Sequence, residues 1–393
     1  MRTSRHSMST FGATLAAVLL IAGAARAGDR RVPFPMHHGI DDVGPFVRIV
    51  RPPKGTGPQI PVFQGMSYYP GWYTGEDLHK LGYDFVRVPV NPAVFLENSP
   101  QVRAQLLDQI DAAIHDYVAA GLRVVFDLHF WTTGDKTWTN QEITEDPSSS
   151  AFAQYRSLVQ EVTGRLVRFP LGTVALEPLN EPIRANCQNW PSEQRTLLAD
   201  IRAKAPDLPV VITGCQGELN QLVALTPDDI DMNDPNLIYT FHFYLPFVFT
   251  NQGGYKTFLQ VDDLPYPASL GNMSETLAKT NANIDAAGLS PADALLNRRE
   301  STKYITQYYQ QGTDRNFIEQ QIGMVAAWAD SNHITHSRLL MGEFAALNGR
   351  KTDTPGYRAS RLRWDNDTQS VADGFQIGSA YWYLPYPKGP IFR

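Results

Sequence analysis

From about residue 61 onward, short runs of β-branched and aromatic residues alternate with longer stretches whose apolar positions recur every three or four residues. The first run predicts a strand near 61–66, and a short helix near 74–81 leads into Phe85-Val86-Arg87-Val88-Pro89-Val90. Between 101 and 119, Leu106, Ile110, Ala113, Ile114 and Tyr117 fall on one helical face, which ends at Gly121. A strand from Leu122 to Leu128 follows at once. The same alternation predicts a helix over about 148–168, a strand from Val174, a helix near 191–204, and a strand over Pro209-Val210-Val211-Ile212-Thr213. Further on come a strand from Leu237 to His242, a helix near 315–331, a strand from Arg338 to Gly342, a weaker helical stretch over 356–374 and a last strand from Ser379 to Leu384.

Strands that alternate with helices call for parallel pairing through right-handed crossovers, and eight such units fit a closed (β/α)₈ barrel. The structural alternative is a doubly wound sheet. The glycine-rich phosphate turn that such a sheet often carries after its first strand is missing here. Residues 245–300 exceed a simple connection and hold Gly, Pro and Asn clusters, so they read as a loop insertion over the C-terminal face of the barrel. Residues 28–60 are rich in Pro and Gly without sustained periodicity and read as an N-terminal arm, leaving 61–393 as the (β/α)₈ domain. The chain ends soon after the eighth strand, with little room for an eighth helix, and the arm is the segment that would cover that gap.

The N-terminus differs from all this. A basic start (Arg2, Arg5, His6), an apolar stretch from Phe11 to Ala25 and the small-x-small ending Ala25-Arg26-Ala27 read as a secretory signal over residues 1–27. The apolar stretch is shorter than the roughly 20 residues of a spanning helix. The mature protein is therefore expected to be soluble, in a periplasm or outside the cell, and to act as a monomer. Export makes a Cys187–Cys215 disulfide possible, against two unpaired thiols. The formal net charge of -6 gives no reason to expect nucleic acid or an anionic membrane as partner. A neutral partner fits better, and aromatics at 11% are compatible with a surface that stacks on sugar rings.

In a barrel, the C-terminal strand ends face one cavity. Arg87 lies in the second strand, His129 after the third, and Asn180 and Glu181 after the fourth. His242 and Tyr244 follow the sixth, Glu343 follows the seventh, and Trp382 lies in the eighth. Glu181 and Glu343 would then face each other. Glycoside hydrolysis requires such a pair, one carboxyl group protonating the leaving oxygen while the other stabilises or attacks an oxocarbenium-like carbon.

These residues, in Phe-Val-Arg87-Val-Pro-Val, Phe-Asp-Leu-His129, Asn180-Glu181-Pro182, His242-Phe-Tyr244, Gly342-Glu343-Phe344 and Trp382, resemble glycoside hydrolase family five, the cellulase family of retaining (β/α)₈ glycosidases. The resemblance runs from roughly Phe63 to Tyr383. It implies Glu181 as acid/base and Glu343 as nucleophile. It further implies that Arg87 and Tyr244 hold Glu343 ionised, that Asn180 bonds the 2-hydroxyl, that His129 and His242 complete a polar ring, and that Trp382 lies under the sugar. Trp131 and Trp138 are candidates for stacking further along the cleft.

The leading expectation is a secreted endo-β-1,4-glucanase that works by double displacement on a polysaccharide or oligosaccharide. The alternatives are a β-mannanase or another β-glycanase of the family, and a non-catalytic carbohydrate-binding relative. A serine esterase would need a Gly-x-Ser-x-Gly elbow and a zinc hydrolase a His-Glu-x-x-His motif, and neither is in the chain. No metal or cofactor is expected.

Overall fold

The computed structural model describes residues 31–43, 45–47, 49–50, 61–63, 73–131, 138–254, 256–346 and 354–382. The signal segment, most of the Pro/Gly-rich loop at 52–61 and everything after Trp382 lie outside the described residues.

Eight parallel strands close into a barrel. They are β1 (His38–Asp41), β2 (Phe85–Val90), β3 (Arg123–Leu128), β4 (Val174–Glu177), β5 (Val210–Glu218), β6 (Leu237–Phe243), β7 (Leu339–Phe344) and β8 (Gly378–Trp382). The helices of six residues or more among the described residues, in chain order, are α1 (Gly75–Lys80), α2 (Pro100–Ala119), α3 (Ser150–Leu166), α4 (Trp190–Lys204), α5 (Met273–Ala286), α6 (Pro291–Gln310), α7 (Arg315–Ser331) and α8 (Pro355–Gly374). Local chemistry sets where they start. The hydroxyls of Ser99, Ser149 and Thr354 accept from backbone N–H groups at the starts of α2, α3 and α8, and proline opens α2 and α8. On α2, Leu106, Ile110, Ile114 and Tyr117 are buried, the face expected from their spacing.

The barrel does not begin where the hydrophobic pattern suggests. Among the described residues of the run near 61–66, Val62–Phe63 form a strand that pairs antiparallel with Ile49–Val50 outside the barrel. The true first strand, His38–Asp41, lies inside the segment read as an arm and pairs with both β2 and β8, so the domain starts before residue 61. His-Gly-Ile-Asp is too short and too poor in β-formers to stand out. Its glycine is nonetheless required, because a Cβ at Gly39 would lie 2.3 Å from the Phe85 ring. Residues 245–300 also differ from a plain loop, since they contain α5 and the first half of α6.

Period-two alternation builds the interior in layers. Phe85, Val125, Ala175, Val211, Ile238, Leu340 and Ala380, one from each of β2 to β8, form an apolar cluster with Phe34 and Met36. Two residues further along β2, β3 and β4 come Arg87, Asp127 and Glu177, and on β1 Asp41 follows Gly39 in the same way. The second layer is therefore ionic, and the site stands on it.

Candidate active site

Arg87 is fully buried at the centre of that layer. Its Nη1 donates to Asp41 Oδ1 and to Glu343 Oε1, both at 2.9 Å, and its Nε and Nη2 grip Glu177 at 2.7 and 3.0 Å. Nη2 also donates to Asn180 Oδ1 at 2.7 Å and lies 2.9 Å from Asp127 Oδ2. One guanidinium thus faces four carboxyl groups. Burial pushes Asp127 up to about 7, against the pull of Arg87, and raises Asp41 and Glu177 as well. Arg87 lies beneath the cleft and reaches it through Glu343 and Asn180.

Above this layer stand the two candidate carboxylates. Glu343, 5% exposed at the side chain, accepts from Arg87 on one oxygen and from the Tyr244 hydroxyl on the other at 2.9 Å. The side chain of Glu181 is 42% exposed, and its Oε1 lies 2.6 Å from His242 Nδ1. One carboxylate oxygen of each, with His242 Nδ1, falls within a mutual distance of 4.8 Å. Loss of water raises both carboxyl groups above the ordinary range. At Glu343 the rise is opposed by His242 and Arg87 and reinforced by Glu181. At Glu181 it is opposed by His129 and Arg87 and reinforced by Glu218.

Burial lowers both histidines to about 4, so each is neutral at neutral pH. The network then fixes their tautomers. His129 donates from Nδ1 to Asp127 at 3.0 Å and accepts at Nε2 from Asn180 Nδ2 at 3.2 Å, while His242 donates from Nδ1 to Glu181. Trp131 packs against His129 with ring centroids 4.5 Å apart and stacks on Trp382 at 6.0 Å and 21°. Trp138 is not among the residues that line the cleft.

The cleft itself encloses about 680 Å³ and joins His129, Glu181, His242, Tyr244, Glu343 and Trp382 in one cavity. The expected strand-end residues are therefore brought together, with Arg87 and Asn180 buried beneath them.

The loop that carries Glu181 is clamped from two sides. Glu181 itself has φ 31°, a backbone conformation that L-residues rarely hold without support. Asn140 Nδ2 donates to the carbonyls of Glu181 and Asn180 at 2.8 and 3.2 Å, and Asn140 Oδ1 accepts from Ile183 N. On the other side, Gln216 N donates to Pro182 O at 2.8 Å, and a Cys187–Cys215 disulfide ties the same two loops. Gly217 sits between them at φ 63°, where a Cβ would come within 3.1 Å of both Glu181 Cγ and His242 Nδ1. Asn140, Gln216, Glu218 and Phe247 carry no motif that marks them in advance. Asp127 and Glu177 do have a signal, a charge two residues beyond an inward apolar residue in a buried strand.

Glu181, His242 and Glu343 form the one set of three groups able to share a metal ion among the described residues. The 2.6 Å His242–Glu181 hydrogen bond already occupies the Nδ1 position that an ion would need. The set is better suited to moving a proton.

A family model for cellulase (glycosyl hydrolase family 5) matches residues 57–386. The chain belongs to this family. As a family 5 member it is a glycoside hydrolase with the (β/α)₈ barrel described above. It is 26% identical over 234 residues to Endoglucanase 3 of Fibrobacter succinogenes, a match that covers 57% of this chain and spans only 31% of that protein's length. Identity to Endoglucanase C of Acetivibrio thermocellus is 20% over 318 residues, covering 78% and 81% of the two chains. Among solved structures, Thermotoga maritima Cel5A in complex with mannotriose substrate superposes with a TM-score of 0.59 at 18% identity, covering 92% of each chain. At that identity the likeness concerns the fold alone. No helix among the described residues is long and apolar enough to cross a membrane.

Proposed function

We propose that the chain is an exported endo-β-1,4-glucanase that cleaves by double displacement, with Glu343 as nucleophile and Glu181 as acid/base. The observation that carries this reading is the carboxylate separation. One oxygen of Glu181 and one of Glu343 lie within 4.8 Å, near the roughly 5–5.5 Å spacing of retaining enzymes and short of the roughly 6.5–9.5 Å of inverting ones.

The donors divide the two roles. Glu343 receives hydrogen bonds on both oxygens, which favours its ionised form and aims it at the anomeric carbon. Glu181 accepts from His242 on Oε1, leaving Oε2 to carry the proton toward the leaving oxygen. Glu343 attacks the anomeric carbon as Glu181 protonates the glycosidic oxygen; the C–O bond to the leaving sugar breaks, that sugar departs with a free hydroxyl, and a glycosyl ester forms on Glu343. The ionised Glu181 then deprotonates a water that attacks the same carbon, releasing Glu343 and restoring the proton. Trp382, with Trp131 stacked on it, supplies an aromatic platform for the sugar at the cleavage point.

Hydrolysis of defined cello-oligosaccharides, followed by proton NMR, tests this directly. The first-formed anomer should be β, and cleavage should fall at internal linkages. An α-anomer as first product would sink the double displacement. A mannanase is the second reading, since the barrel fold is shared with a protein solved with mannotriose as well as with cellobiose; hydrolysis of mannan with no action on glucan would establish it. Export rests on the pattern of residues 1–27, and a mature protein that begins at Gly28 is its expected product.

A further inference from the structure

The catalytic cleft extends past Glu181 as far as Phe247 and Asn251. Glu181 delivers its proton to the glycosidic oxygen, so the departing sugar lies on its side, over residues at the end of β5 and just after β6, among them Gln216, Glu218 and Phe247. Leu245 and Phe247 also line a second groove of about 200 Å³. Its other walls include Tyr304 and Gln307 on α6 and Phe317 and Gln321 on α7. Phe247 is the hinge between the two spaces, 39% exposed although the next residues Val248 and Phe249 are buried, so the ring stands on a fixed base.

The lining selects a chemical class. Phenyl faces suit the C–H faces of pyranose rings, and primary amides donate and accept as sugar hydroxyls require. Among the described residues, no ionisable acid or base other than tyrosine lines the groove. Lys303 caps the Tyr304 ring at 4.6 Å, which leaves that tyrosine to contribute its edge and hydroxyl, with Phe247 and Phe317 offering the apolar surface. We propose that this groove is a remote subsite for the neutral glycan chain beyond the leaving group. The proposal rests on the glycanase reading of the cleft.

The test compares a long substrate with a short one. Gln307→Ala combined with Gln321→Ala removes two of the three amides that line the groove without touching the cleft, and Gln311→Trp, at the third, fills the groove by a second route. On a soluble β-1,4-glucan polymer, each variant should raise KM about fivefold or more with kcat unchanged, while both constants on an aryl β-cellobioside stay at wild-type values. Phe317→Ala should act in the same direction, with its melting temperature followed because the ring packs against the core. An unchanged polymer KM in both groove variants overturns the proposal, as does an equal loss on both substrates. Wild-type protein that turns over the cellobioside alongside variants with unchanged polymer KM removes the groove alone. Wild-type protein inert on both substrates removes the glucanase reading and the groove with it.

Discussion

Glu343 and Glu181 lie within 4.8 Å of each other yet are held in opposite ways. Glu343 belongs to β7, whose backbone pairs with β6 on one side and β8 on the other, and its side chain is fixed by Arg87 and Tyr244. Glu181 sits past the end of β4 in a left-handed backbone conformation, half-exposed, with loop contacts and a disulfide in place of strand pairing. The difference matches the two tasks. A nucleophile must stay ionised at one fixed position, which a barrel wall on an ionic layer supplies. An acid/base must exchange protons with water in every turnover, so it needs exposure, and its position then has to come from the loops around it.

The sharpest way to break the comparison is to remove each carboxylate in turn. Glu343→Gln should lower turnover more than about a thousandfold whatever the leaving group, because no covalent intermediate can form. Glu181→Gln should cost about 10²–10⁴-fold on glucan. With a dinitrophenyl glycoside, however, the first step of the Glu181 variant should survive and the intermediate accumulate as a burst. Equal losses on good and poor leaving groups in that variant would show that Glu181 is not the acid.

Arg87→Lys comes next. Lysine keeps the charge but cannot bridge Glu177, Asp41, Asn180 and Glu343 at once, so buried carboxyl groups lose their partner. Breaking such a buried network should lower stability by about 3–5 kcal/mol in chemical denaturation, together with activity. A variant of unchanged stability would mean that the ionic layer does not support the nucleophile as described.

The two sides of the site were unequally legible in the sequence. The strands from Phe85 onward show themselves because buried parallel strands are continuous apolar runs, and the polar residues at their ends converge by topology alone. Glu181, Glu343, His129, His242, Tyr244 and Trp382 follow from that rule. Asp41 does not, since its strand is four residues long and contains the glycine that the Phe85 ring demands. Asn140 and Gln216 were hidden for another reason. They act on backbone carbonyls of the Glu181 loop, and such contacts depend on how two loops meet, which no periodicity encodes. The helices α5 and α6 were obscured by the Gly, Pro and Asn clusters around them.

Opening the disulfide loosens the acid side alone. Cys187→Ser with Cys215→Ser removes a link that closes 28 residues and should lower stability by about 2–4 kcal/mol. Turnover should fall a few-fold on glucan and hardly at all in the first step with an activated aryl glycoside, because only Glu181 loses its placement. A matching fall in both would mean that the bridge also holds Glu343.

The smallest expected effect is electrostatic. Glu218, at the end of β5, lies opposite His242 in the strand register and lines the cleft beside Glu181, whose pKa its charge helps to raise. Replacing it by Gln removes a negative neighbour, so ionisation of Glu181 becomes easier and its pKa falls. In the proposed mechanism Glu181 must be protonated in the free enzyme, so the basic limb of kcat/KM moves to lower pH. The principal charges acting on Glu343 are His242, Arg87, Glu181 and His129, so the acidic limb should stay in place. A pH profile measured on one aryl cellobioside separates the limbs. If the acidic limb moved instead, Glu218 would be acting on the nucleophile side, and the division of labour between the two carboxylates would have to be drawn the other way round.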